Sequence, residues 1–177
     1  NSSSGGTCLA EGTLITLADG TKKKVEDFRK GDKVISVDHL TGKLTISDVI
    51  IVVKTYSVFI KTTFFFDDGT RINTINEHGL FDSNENKYVN LTHLNAQEYI
   101  GHSFVSIDTN GNISSKKLVG YDYALTEGYK YDIVSNTTLN YIAEDLLSVT
   151  HVLVDIINTF EFGENLCYDS NKMYEDI

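Results

Sequence analysis

A thiol and an imidazole are the side chains best suited to covalent chemistry near neutral pH, and this chain offers a candidate of each. Cys8 heads the run Cys8-Leu9-Ala10-Glu11-Gly12-Thr13, directly after the linker-like Asn1-Ser2-Ser3-Ser4-Gly5-Gly6-Thr7. A cysteine nucleophile needs a base or acid beside it, because only a few per cent of a free thiol is ionised at pH 7. Of the five histidines, His78 is the candidate partner. It closes the alternating run Ile72-Asn73-Thr74-Ile75 and precedes Gly79-Leu80-Phe81, where a loop would aim a side chain into a cleft. His39 lies in a turn, His102 follows a glycine, and His93 and His151 open expected helices. Both candidates also have plainer readings: an isolated cysteine serves as a small buried hydrophobe, and a histidine at a strand end is satisfied by hydrogen bonds.

Metal chemistry is disfavoured. The chain has no Cys-x-x-Cys or His-x-x-x-His pair, Cys8 and Cys167 fall in no metal-ligand spacing, and His93 with His102 would need carboxylates from elsewhere. No metal and no cofactor is expected. A Cys8–Cys167 disulfide stays open, as does a role for Cys167 as an acyl-accepting thiol against that of a peripheral or disulfide-bonded residue.

The elements that must position these groups are mostly strands. Leu14 to Leu17, Val34 to Val37, Leu44 to Val53, Val58 to Ile60, Phe64 to Phe66 and Ile72 to Ile75 have β-branched or aromatic character between turn signals at Asp19-Gly20, Gly31-Asp32, Thr41-Gly42 and Asp68-Gly69. Val25 to Phe28 reads as one helical turn, and Leu91 to Ile100 as a short helix starting at Thr92 and ending before Gly101. Strands resume at Ser103 to Ile107, Val119 to Leu125, Lys130 to Val134, Leu139 to Ala143 and Leu146 to Val149. Beyond them, Leu153, Ile156, Ile157 and Phe160 fall on one helical face, with Thr150 to cap the start and Gly163 to end it. The order strand, Asp-Gly-Thr, basic residue occurs twice, at Asp19 to Lys22 and Asp68 to Arg71, a short echo that turn chemistry alone can produce.

Bulk composition bounds the partners. A chain of 177 residues buries about 70% of its unfolded surface, enough for one core without staples. The formal charge of −10 repels phosphate backbones and anionic lipid, and the one basic cluster, Lys22 to Lys24, is followed by Glu26 and Asp27. Neither nucleic acid nor membrane is therefore an expected partner, and a monomer is.

Residues 8 to 34, from Cys8-Leu9-Ala10-Glu11-Gly12-Thr13 through Gly31-Asp32-Lys33-Val34, resemble the first block of the Hint family, the self-processing domains of inteins, bacterial intein-like proteins and the hedgehog C-terminal region. Glu77-His78-Gly79-Leu80-Phe81-Asp82 and Glu98-Tyr99-Ile100-Gly101-His102 are similar to Hint-like domains of large surface proteins from Gram-positive bacteria. The resemblance implies an all-β Hint fold with pseudo-twofold β units, one short helix and a C-terminal helical extension. It divides the chain into an upstream flank (1–7), a Hint-like domain (8–150) and an extension (151–177), within a secreted or cell-surface protein.

It also implies a reaction. Cys8 would attack the Thr7 carbonyl and turn the Thr7-Cys8 amide into a thioester, with His78 serving the departing nitrogen. The family's threonine falls three residues before that histidine, where this chain has Ile75; Thr74 is one place early and needs a bulge to take the role. At the far end Leu139, Val149 and Thr150 stand where splicing inteins have two histidines and a cyclising asparagine, so splicing is not expected. Where hedgehog domains have a sterol-activating aspartate, the roughly corresponding residue is Lys54. The implied substrate is the upstream segment, and the implied acceptor is water, an amine or a thiol. The competing expectation is a non-catalytic β module that keeps only the fold.

Overall fold

The computed structural model describes residues 8–159, and these form an all-β unit. Twelve strands follow in order: β1 (Cys8–Ala10), β2 (Leu14–Thr16), β3 (Lys22–Lys24), β4 (Lys33–Asp38), β5 (Lys43–Phe66), β6 (Arg71–Ile75), β7 (His78–Asp82), β8 (Lys87–Leu91), β9 (Ser103–Ile107), β10 (Ile113–Ser135), β11 (Asn140–Ala143) and β12 (Leu146–Val149). A 3-10 turn spans Val25–Asp27, the helix α1 is a single turn at Ala96–Tyr99, and a second 3-10 turn at His151–Leu153 leads into α2 (Val154–Ile157).

Two strands dominate. β5 and β10 pair antiparallel from Leu118↔Phe66 to Ser135↔Val49, with irregularities after Leu118 and before Ser135. The sequence breaks read at Lys54 to Ser57 and at Thr126 to Tyr129 are exposed stretches of an unbroken ribbon. Polar residues there mark solvent contact instead of turns, since with no proline present nothing ends the ladder. β6 pairs with β5 through Lys61↔Ile75 to Phe65↔Arg71, and the three-residue β1 lies between β6 and β10. Strands β5, β6, β1 and β10 thus close on one another.

The two Asp-Gly-Thr sequences make the same turn. Leu17 N donates to Thr21 O at 2.7 Å and Phe66 N to Thr70 O at 2.9 Å, with Thr21 N and Thr70 N bonded to the Asp19 and Asp68 carboxylates at 3.0 and 2.9 Å. Gly20 and Gly69 hold φ of 87° and 89°, the left-handed region that requires glycine.

The expected helix from Leu91 is shorter than its apolar spacing predicts. Leu91 ends strand β8, and Thr92 folds a loop in which its Oγ1 accepts from the Leu94 and Asn95 backbone N–H groups at 3.0 and 3.1 Å. The segment after His78, read as a loop, is the fully buried strand β7. The C-terminal helix also differs: α2 buries Val154 and Ile157 and leaves Ile156 exposed, while Phe160 and Gly163 lie outside the described residues. Asn158 ties this turn to β8 by donating to Tyr88 O at 2.8 Å and accepting from Tyr88 N at 3.0 Å.

One core, around Leu9, Phe64, Ile72, Phe104 and Tyr131, fills the space between the ribbon and the shorter strands, and a second gathers Phe81, Tyr88, Ile142, Val149 and Val154. Buried Asn140 joins β11 to β4: its Oδ1 accepts from Ser36 Oγ and Val37 N, both at 2.7 Å, and its Nδ2 donates to Val37 O at 2.9 Å and Thr138 O at 3.1 Å. These bonds hold a loop in which Thr137 and Leu139 take φ of 70° and 65°. Asn140→Ala would strand buried partners, so a loss of about 3 kcal/mol is expected, read as a lower urea midpoint at unchanged m-value.

Candidate active site

Strand alternation decides which side chains surround Cys8. The registers Cys8↔Ile75, Leu9↔Thr74, Leu9↔Tyr131 and Ala10↔Lys130 put Cys8, Ala10, Ile75 and Lys130 on one face and Leu9, Thr74 and Tyr131 on the other. Asp132, two residues beyond Lys130, shares the thiol's face. Phe59 closes the apolar side of this patch.

Cys8 is a free thiol, 6% exposed. Burial pushes its pKa up to about 12, the Asp132 carboxylate adds to the rise, and Lys130 opposes it. The thiolate fraction at pH 7 is then on the order of 10⁻⁵. Attack by this sulfur therefore requires a group that takes its proton as the bond forms.

Asp132 has the right character. Burial raises its carboxyl to about 6, against the Thr150 hydroxyl and the Ile133 N–H, which hold the ionised form. Thr150 Oγ1 lies 2.6 Å from Asp132 Oδ1 and 3.0 Å from Ile133 O. Such a carboxylate is ionised at neutral pH yet basic enough to accept a proton. The buried Tyr141 phenol faces the same groups: burial, then Asp132, then Cys8 drive its pKa well above the usual tyrosine range, with Thr150 opposing.

His78 opens β7 opposite Leu91 and is 1% exposed. Its ring centroid is 6.4 Å from that of Tyr141, with the planes tilted by 53°. Tyr141 thus meets the His78 ring and feels the charges of Asp132 and Cys8. Behind His78, Gly79 leaves no room for a side chain: a Cβ there would sit 2.6 Å from Val149 Cγ1 and 2.7 Å from Val154 Cγ2.

Thr74 is turned away from the thiol. No bulge interrupts the β6 registers, and the Thr74 hydroxyl donates to Thr62 O at 3.3 Å on the core side, while Ile75 stands across from Cys8. Lys54 also lies on the far face, its ammonium 4.3 Å from the Tyr129 ring centroid. Val149 packs in the second core, and Thr150 is the Asp132 partner. Thr7 and Cys167 lie outside the described residues. Asp132, Lys130 and Tyr141 escaped the sequence reading as site residues. The one signal available was two opposite charges inside the strand-like run Lys130-Tyr131-Asp132-Ile133-Val134.

His39, His93 and His102 have structural surroundings. His39 is buried, bonded through Nε2 to Tyr88 Oη at 2.7 Å and stacked on Phe81, and burial lowers its pKa to about 4. The His93 ring rests 4.8 Å from that of Tyr123. His102 pairs with buried Asp82, Nδ1 to Oδ2 at 2.6 Å. Asp82, Glu85 and His102 bring ligand-type atoms within 4.8 Å of one another, but the Asp82 oxygens are already taken by His102 and by the Asn84 and Glu85 N–H groups.

No protein-family model and no curated protein matches the sequence. Solved structures do match the fold. A DnaB intein from Synechocystis sp. PCC 6803 superposes with a TM-score of 0.68 at 17% identity, covering 81% of this chain and 98% of that one. The PabCDC21-1 intein (TM-score 0.67, 17% identity) and the TvoVMA intein (TM-score 0.67, 16% identity) each cover 81% of this chain and 98% of their own.

Proposed function

We propose that this chain, which has the Hint fold of inteins, is a self-processing domain that performs an N-to-S acyl shift at Thr7-Cys8 and lets an outside nucleophile release the upstream segment. The observation that carries the reading is the Cys8 thiol set on one face with Asp132, a carboxyl held at about 6. In the reaction Cys8 Sγ bonds to the Thr7 carbonyl carbon while Asp132 takes the thiol proton. The Thr7–Cys8 C–N bond then breaks, and the Cys8 nitrogen leaves as an amine, its added proton supplied from the His78 and Tyr141 side. Water, an amine or a thiol next attacks the thioester carbonyl and returns the Cys8 thiol. Thr150 stands in the position of a cyclising asparagine and cannot form a succinimide, so one cut and no splicing follows. We place the domain within a bacterial surface protein on the strength of its sequence resemblance.

A second reading, a Hint-fold module without activity, is favoured by the thiol's high pKa and by Ile75 across from Cys8 in place of a hydroxyl. Intact-mass measurement separates the two. With hydroxylamine or excess dithiothreitol, residues 1–7 should be lost from the native chain and retained in Cys8→Ala. His78→Ala should slow that loss by about 10²-fold or more with a urea transition that stays cooperative. A native chain whose mass stays constant over days, matching Cys8→Ala, supports the inactive module.

A further inference from the structure

Lys130 is 6% exposed, on β10, opposite Ala10 of β1 and Thr55 of β5. Lysine is almost never buried to this degree unless its charge is used, and a purely apolar role would be met as well by leucine. Alternation directs its side chain to the face that carries Cys8 and Asp132, diagonal to the thiol across the β1–β10 pair.

We propose that Lys130 is a positioning residue of the Cys8 site, the fixed positive charge that favours the sulfur anion as it forms and the oxyanion that succeeds it. This assignment rests on the acyl-shift reading for its second half, but its first half concerns the thiol alone. Among the described residues, these groups face Cys8. β10 supplies Asp132 and Lys130, β11 the Tyr141 phenol with His78 of β7 behind it, and Ile75 of β6 and Phe59 of β5 add no charge. Asp132 raises the thiol and Lys130 lowers it, so the two charges oppose each other at one sulfur. With Lys130 neutralised, the thiol would face a carboxylate and an apolar wall. When negative charge passes from sulfur to the Thr7 carbonyl oxygen, an ammonium on the same face continues to compensate it.

The test uses the whole chain carrying Cys167→Ser, which leaves Cys8 as the single thiol. The second-order rate of modification by methyl methanethiosulfonate is followed from pH 7 to 10. Lys130→Met is expected to lower that rate at every pH in this range, which lies below the thiol's own titration. The thiolate fraction falls about tenfold at a given pH, and the higher nucleophilicity of a more basic thiolate returns part of it, leaving the rate about threefold lower. Lys130→Arg should restore most of that rate. Equal pH profiles for the native chain, Lys130→Met and Lys130→Arg would overturn the inference. If Lys130→Met does not fold, Lys130→Gln against Lys130→Arg makes the same comparison, slower Gln supporting the role and equal rates rejecting it. A chain that forms no thioester yet has Lys130-dependent thiol reactivity removes the proposed function and keeps the electrostatic role. A chain that processes itself equally fast in Lys130→Met and with an unshifted thiol keeps the function and removes the role.

Discussion

Replacing Asp132 with asparagine is expected to slow thioester formation by about 10²- to 10⁴-fold, the usual contribution of a positioned general base, while making the folded protein more stable at pH 7. The two effects have one origin. Burial lifts the Asp132 carboxyl from an unfolded value near 3.9 to about 6. An acid raised on folding favours the protonated native state, so its contribution to stability is full below about pH 4 and is lost as pH rises through about 6. At pH 7 the ionised carboxylate costs up to about 2–3 kcal/mol. Asparagine keeps an oxygen for the Thr150 hydroxyl and carries no charge. Urea unfolding at pH 4, 5, 6 and 7 should show the difference between the variants growing with pH. The native processing rate should rise with pH through a limb near 6 that Asp132→Asn lacks. A variant that processes at the native rate would remove Asp132 from the mechanism, and one that is less stable at pH 7 would show that its charge is compensated in the fold.

Gly79→Ala is expected to be the most damaging small substitution in the chain, costing about 3 kcal/mol or more and taking activity with it. The added methyl would lie 2.6 and 2.7 Å from the Val149 and Val154 side chains, and 2.8 Å from the Val149 carbonyl oxygen. Rotation of the two valines relieves the first two contacts. The third is backbone, and relieving it means parting β7 from β12 at the Val149↔Gly79 pair, next to His78. Val154→Ala in the same chain should therefore recover part of the lost stability and little of the activity. Full recovery by Val154→Ala would place the whole penalty in side-chain packing. The readouts are the urea midpoint and the rate of mass loss in dithiothreitol.

The all-β class was legible because alternation and Asp-Gly turns speak locally: Asp19-Gly20 and Asp68-Gly69 form the hairpin turns their composition predicts. Cys8 was legible as a chemical group for the same reason, standing at a turn-rich start. Its neighbours were not. Cys8, Asp132, Tyr141 and Thr150 meet only because β1 inserts between β6 and β10, and nothing in a three-residue strand announces which partners it will choose. Thr74 illustrates the converse error. Its closeness in sequence to His78 made it attractive, but an uninterrupted β6 register fixes its side chain on the face opposite the thiol, a one-residue matter that no composition reveals. The helix expected from Leu91 is confined to Ala96–Tyr99 because an apolar run with helical spacing also suits a buried strand ending in a Thr92 loop.

The placement of β1 has a consequence for timing. Among the described residues its ladder partners are positions 74–75 and 130–131, so the first of the twelve strands to be made is among the last to find its ladder. Closing so long a loop is slow relative to forming the Asp-Gly hairpins, which need only near neighbours. Until β10 has been synthesised and has paired with β5, Cys8 has no Asp132 beside it. On the proposed acyl shift, the chemistry waits on completion of the fold: an unfinished chain holds a thiol without its carboxylate, and the last long strand to arrive supplies it.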